Sequence, residues 1–127
     1  LMRMDSDLFQ YLVGSVDGTL EKMPPISWKN KSAVCIVLAS KGYPESYPKG
    51  DEIFGLGKAF DDAYIFHAGT KEQDKKIITN GGRVFGVTAL GDTLESAIKH
   101  AYDATEKISW KNKYFRTDIG KKGLTYL

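Results

Sequence analysis

Cysteine occurs once in this sequence and histidine twice. A single thiol, Cys35, excludes an internal disulfide and suits a reducing compartment such as the cytoplasm. Two imidazoles, His67 and His100, are too few for a histidine-built zinc site. Neither Cys-x-x-Cys nor His-Glu-x-x-His spacing occurs, and no Gly-x-Ser-x-Gly elbow offers a nucleophile. Charge of one sign is also missing: 18 Lys and Arg face 16 Asp and Glu. The basic clusters (Lys75-Lys76, Lys121-Lys122, Lys29 with Lys31) are short, so no phosphate track for nucleic acid is expected. No apolar run approaches the about 20 residues that cross a bilayer, which argues against a membrane partner.

The apolar content is that of an ordinary globular domain, with 42% hydrophobic and 12% aromatic residues in 127. A chain of this size buries roughly 65–70% of its unfolded surface, enough for one core. It is too short for two catalytic domains that close on each other. The chain opens on Leu1 with no charged-then-apolar leader, and reads as a segment cut from a longer polypeptide. Leu1, Met4, Leu8, Phe9, Leu12 and Val13 keep helical spacing, with Asp5 or Ser6 as the cap and Gly14 as the stop.

Asp17-Gly18 between apolar residues predicts a tight hairpin turn, which Pro24-Pro25 then interrupts. Residues 32–39 form a continuous apolar strand, expected to be buried on both faces, with Cys35 as a small core residue rather than a reactive thiol. A loop over 40–50, rich in Gly and Pro, leads through an extended piece at 51–54 to a helical turn near Leu56 to Asp62. Strands are predicted at 64–68, 76–79 and 83–90, the last two joined as a hairpin by Asn80-Gly81-Gly82. Asp92 and Glu95 supply a capping-box pattern for a helix whose stripe is Leu94, Ala97, Ile98, Ala101, Tyr102, Thr105 and Ile108. His100 is expected on its solvent side, and residues 114–127 read as an irregular tail. The fold class is α+β: a mostly antiparallel sheet, an amphipathic helix on one face and a short N-terminal helix.

One hexapeptide occurs twice. Ile26-Ser27-Trp28-Lys29-Asn30-Lys31 returns as Ile108-Ser109-Trp110-Lys111-Asn112-Lys113. The flanks differ, so the pair reads as two similar exposed turns, each with its Trp folded onto the sheet, and not as a structural repeat.

Most candidate chemistry is weak. Gly55-Leu56-Gly57-Lys58-Ala59-Phe60 begins like a dinucleotide fingerprint but has Phe60 where the third glycine belongs. Asp61-Asp62 reads as a solvated pair. Two places stand higher. His67-Ala68-Gly69-Thr70 closes a strand with small and polar residues, and Asn80-Gly81-Gly82-Arg83 joins two others. Glycines let backbone N–H groups approach an anion, and a strand-borne arginine presents a planar fork to phosphate or carboxylate. A plain hairpin turn and a satisfied core histidine remain the alternatives.

At these residues the chain resembles a known family. Val34-Cys35-Ile36-Val37-Leu38-Ala39-Ser40-Lys41-Gly42-Tyr43-Pro44, Phe66-His67-Ala68-Gly69-Thr70, the run from Thr79 to Leu94, and Arg116-Thr117-Asp118-Ile119-Gly120 occur in the order seen in the C-terminal region of the phosphoribosylamine–glycine ligases (glycinamide ribonucleotide synthetases) of the ATP-grasp superfamily. The likeness covers nearly the whole chain, with residues 1–14 resembling the end of the ATP-grasp region and 15–127 the C-terminal domain. The resemblance implies de novo purine biosynthesis: ATP, glycine and 5-phosphoribosylamine give glycinamide ribonucleotide, ADP and phosphate. ATP and magnesium (or manganese) would be held by the full-length enzyme upstream of Leu1, so the chain alone is expected to bind neither and to be inactive. No catalytic residue or metal ligand is expected within it. By analogy with related ATP-grasp enzymes, Arg83 with Asn80, Gly81 and Gly82 is expected to meet the phosphoribosyl phosphate or a nearby anion, with His67, Gly69 and Thr70 as neighbours. Two other readings compete: a standalone, non-catalytic binding module, and a purely structural brace for the ATP-grasp region.

Overall fold

A computed structural model describes residues 1–57, 60 and 62–126. The N-terminal helix α1 spans Leu8–Asp17 and starts later than its apolar spacing suggests. Asp7, not Asp5 or Ser6, is the cap, its carboxylate accepting from the Phe9 N–H at 3.0 Å. Gly14 does not stop the helix. It lies buried inside it, where a Cβ would stand 2.7 Å from the Met23 sulfur. The end comes at Gly18, whose φ of +68° makes a left-handed cap, so Asp17-Gly18 closes a helix and turns no hairpin.

The core is a four-stranded antiparallel sheet in the order β2-β5-β1-β6, built from β1 (Ser32–Ser40), β2 (Ala63–His67), β5 (Arg83–Gly91) and β6 (Lys113–Tyr114). The long pairing of β1 with β5 sets Val34 opposite Ala89 and Ile36 opposite Val87. These residues are buried beneath helix α2 (Leu94–Lys107), which presents Ala97, Ala101 and Ala104 to them. Small helix residues against β-branched strand residues allow close helix-on-sheet packing, the arrangement expected from the stripe.

The expectation of a strand buried on both faces fails. Along β1 burial alternates, and Ala33, Cys35 and Val37 are exposed on the second face. Among the described residues one helix covers the sheet, so from Ala33 to Val37 a period of two leaves alternate residues open whatever their chemistry, until Ala39 is buried near the strand's end. Cys35 is therefore an exposed free thiol and not a core residue.

The predicted hairpin at Asn80-Gly81-Gly82 is also replaced. Strand β4 (Lys76–Thr79) pairs with β3 (Thr70–Gln73) in a separate two-stranded sheet. Their turn is Asp74-Lys75, with φ of +52° and +60°, the double positive φ of a tight hairpin made without glycine. Asn80 to Gly82 is instead the passage from this small sheet to the main one. The extended piece at 51–54 borders β4, Ile53 N–H donating to Ile77 O at 2.9 Å.

Helix α2 is capped by Thr93 with Ser96 as its partner, one residue on from the expected Asp92 and Glu95. His100 is half-buried, not on the solvent side, and its Nδ1 lies 2.9 Å from the Leu90 carbonyl. The tail expected to be irregular holds β6 and a short helix α3 (Lys121–Leu124). The helical turn expected near Leu56 to Asp62 falls partly on Lys58, Ala59 and Asp61, outside the described residues; Leu56 and Gly57 form a turn.

Candidate functional site

At one end of the open sheet face lies a groove of about 530 Å³, lined among others by Val37, Tyr43, Phe66, His67, Gly82 and Arg83. Its walls exist because the alternation of β1 and β2 turns Val37 and Phe66 outward, 46% and 44% exposed. Between them the strand β5 contributes Gly86, so the floor carries no side chain at that point. Arg83 opens β5 and is exposed. Its side chain makes no hydrogen bond or ion pair with any described residue.

Arg116, which lines a neighbouring groove of about 240 Å³ with Cys35, Val37 and Tyr43, is its opposite. It is committed to Asp118 through Nε at 2.9 Å and Nη2 at 2.6 Å. That hydrogen-bonded pair raises the Arg116 pKa above its ordinary value and holds Asp118 below its own. A fork already satisfied by a carboxylate has little left for a ligand, whereas the Arg83 fork is free to take an anion.

The backbone around Arg83 is clamped. Ser40, fully buried at the end of β1, donates its N–H to Gly82 O at 2.8 Å and its hydroxyl to Gly81 O at 3.3 Å. Gly69 N–H donates to Arg83 O at 2.8 Å, and Asn80 N–H to Gly69 O at 2.7 Å. The Gly69 and Gly81 backbones touch: a Cβ on Gly69 would lie 2.6 Å from Gly81 Cα. None of Asn80, Gly81 and Gly82 has a positive φ. These glycines are required by close approach and not by a turn.

Of the residues singled out in the sequence, His67, Gly82 and Arg83 meet in the groove. Gly69 and Gly81 do not line it but meet each other as a backbone contact next to Arg83. Thr70 turns to His67, its hydroxyl 2.9 Å from Nδ1, while the His67 ring stands edge-on to Phe85 at 4.9 Å. Asn80 is exposed and does not line the groove. Sequence reasoning missed Val37, Phe66 and Tyr43 as walls. Tyr43 was visible in the Gly-Tyr-Pro stretch, but its position over Gly82 follows only from the tertiary fold.

Among the described residues no three of His, Cys, Asp and Glu gather as metal donors, and no helix is long and apolar enough to cross a membrane. Residues 33–122 match the family described as phosphoribosylglycinamide synthetase, C domain. The chain belongs to that family. It is 49% identical over 118 residues to a phosphoribosylamine–glycine ligase of Synechocystis, covering 92% of this chain and 28% of the relative. It is 44% identical to a bifunctional purine biosynthetic protein of Dictyostelium discoideum, covering 98% of this chain and 16% of that one. The crystal structure of phosphoribosylamine–glycine ligase from Thermotoga maritima aligns with a TM-score of 0.68 at 39% identity, over 83% of this chain and 27% of that one. The chain thus spans well under a third of the relatives it matches. As in the solved relative, this C-domain fold is an antiparallel sheet backed by a helix.

Proposed function

We propose that this chain is the C-terminal part of an ATP-dependent phosphoribosylamine–glycine ligase, in which Arg83 receives the phosphate of 5-phosphoribosylamine. The observation that carries this reading is the unpaired Arg83 fork on the rim of a groove whose backbone is fixed from both sides. Residues 1–14 are assigned to the end of the ATP-grasp region and 15–127 to the C-terminal domain, with α1 running across that junction. In the full enzyme the glycine carboxylate takes the γ-phosphoryl group of ATP. The phosphoribosylamine nitrogen then attacks the acyl carbon, and phosphate leaves to give glycinamide ribonucleotide.

Among the described residues no three His, Cys, Asp or Glu side chains gather, so no metal-holding set is assigned to this chain. Magnesium (or manganese) and ATP are assigned to the rest of the ligase, and no step within this chain runs through them. What the chain contributes is electrostatic and geometric: a preorganised cation that binds the sugar phosphate and leaves the amine directed toward the reacting carboxylate. Gly82 and His67 line the same groove, Thr70 bonds the His67 ring, and Gly69, Asn80 and Gly81 belong to the hydrogen-bonded backbone around Arg83. The setting proposed is the cytoplasm, where phosphorylated metabolites and ATP are available.

Arg83→Ala in the full-length ligase tests this reading. Losing a charge-assisted contact of about 1.5–3 kcal/mol should raise KM for phosphoribosylamine roughly 10- to 100-fold, with KM for ATP and the melting temperature unchanged. A lowered melting temperature with unchanged KM would instead assign Arg83 a bracing role.

A further inference from the structure

Gly82 precedes Arg83 and is buried, and the atoms nearest a Cβ built there all belong to the Tyr43 ring, among them Cε2 at 2.8 Å and Cγ at 3.0 Å. The aromatic ring thus occupies the space a side chain would need, lying directly against the backbone of the residue that aims Arg83. The ring has further support. Tyr47 packs edge-on with centroids 6.0 Å apart, and Tyr43 N–H donates to Ser40 O at 3.1 Å. Ser40 is the residue that holds the Gly81 and Gly82 carbonyls. Tyr43 is 39% exposed and lines the groove with Arg83, and its hydroxyl bonds no described residue.

Among the described residues no side chain holds the Arg83 guanidinium, so what the fold fixes is the backbone from which its side chain sets out. We propose that Tyr43 is a positioning residue for the Arg83 anion site, acting through the contact of its ring with Gly82. Ser40 fixes the two carbonyls from one side and Gly69 fixes Arg83 O from another, and the Tyr43 ring packs against the Gly82 Cα between these bonds. A bidentate fork depends on angle as well as distance, so loosening this point weakens anion binding without touching the reacting atoms. The ring performs this role and the hydroxyl does not. The inference rests on the reading that Arg83 binds the substrate phosphate.

The experiment compares five variants of the full-length ligase: Arg83→Ala, Tyr43→Phe, Tyr43→Ala, Gly82→Ala and the double variant Tyr43→Ala/Gly82→Ala. Tyr43→Ala should raise KM for phosphoribosylamine about five- to tenfold, short of the hundredfold that gross misplacement can reach. Its kcat and its KM for ATP and glycine should stay within about twofold, the pattern of lost uniform binding. Tyr43→Phe should behave as wild type. Gly82→Ala should raise the same KM by expelling the ring, yet add little once Tyr43 is alanine, because the methyl then enters vacated space. The proposal is overturned if Tyr43→Ala leaves KM for phosphoribosylamine unchanged, if all parameters fall together with the melting temperature, or if phenylalanine fails to restore binding. An unchanged KM in Arg83→Ala would overturn the underlying reading and the proposal with it. A raised KM there, with no effect in the Tyr43 variants, overturns the proposal alone.

Discussion

Two copies of one hexapeptide occupy opposite environments in this fold. Trp110 is 6% exposed and packs against Phe85 with centroids 6.0 Å apart, whereas Trp28 is 55% exposed and bridges to Met4. Ile108 is fully buried under the sheet while Ile26 faces solvent. Asn112 donates to Asp51 at 2.8 Å, and Lys113 donates to the carbonyls of Thr105 and Ile108 at the end of α2, each at 2.6 Å. Burial lowers the Lys113 pKa, with Glu106 opposing that shift. Among the described residues Lys31 meets the exposed carboxylates of Asp62 and Asp92, at 3.9 and 3.6 Å. The Ile and Trp of the motif are core in the second copy and surface in the first, while its Ser and first Lys are exposed in both. The expectation of two exposed turns therefore holds for the first copy and fails for the second.

Paired substitutions measure the contrast. Trp110→Ala should cost about 3–5 kcal/mol in urea unfolding, as a large core residue leaving a cavity. Trp28→Ala should stay within about 0.5 kcal/mol, and equal losses would show that the first copy also belongs to the core. Next in size, Lys113→Ala removes the ammonium that satisfies two carbonyls at a helix C-terminus, a loss of about 1–2 kcal/mol. The matching Lys31→Ala should change stability by no more than about 0.5 kcal/mol, and 0.5 M salt should erase even that. The smallest difference is expected between Ile108→Val, at about 0.5–1.5 kcal/mol, and Ile26→Val, near zero. A null result for Ile108 would mean that the core closes over the missing methyl group.

The same contrast explains how much could be read in advance. Helix α2, the extents of strands β1 and β5 and the α+β class were legible because an apolar stripe or an apolar run marks each, whereas the pairing of those two strands was not. Asn80-Gly81-Gly82 misled because glycine has two uses, and here it permits contact with Gly69 and Tyr43 instead of a positive φ. The hairpin at Asp74-Lys75 was hidden because its residues adopt a strained conformation without the usual glycine. At the candidate site, Arg83, His67 and Gly82 were legible from residue type. Val37, Phe66 and Tyr43 were not, since nothing local tells which face of a strand, or which ring after a loop, will border a distant arginine.

Taken alone, the sequence determined helix α2 and the strands β1, β2, β4 and β5, the scarcity of metal-ligating side chains and the family likeness, because spacing, composition and motif order are properties of the chain itself. Which face of β1 stays open, which copy of the hexapeptide enters the core, and whether Arg83 finds a side-chain partner were decided only by the tertiary structure. The physical reason is common to all three. Burial and pairing are set by what the fold brings alongside a residue, and identical side chains acquire different energies when their neighbours differ.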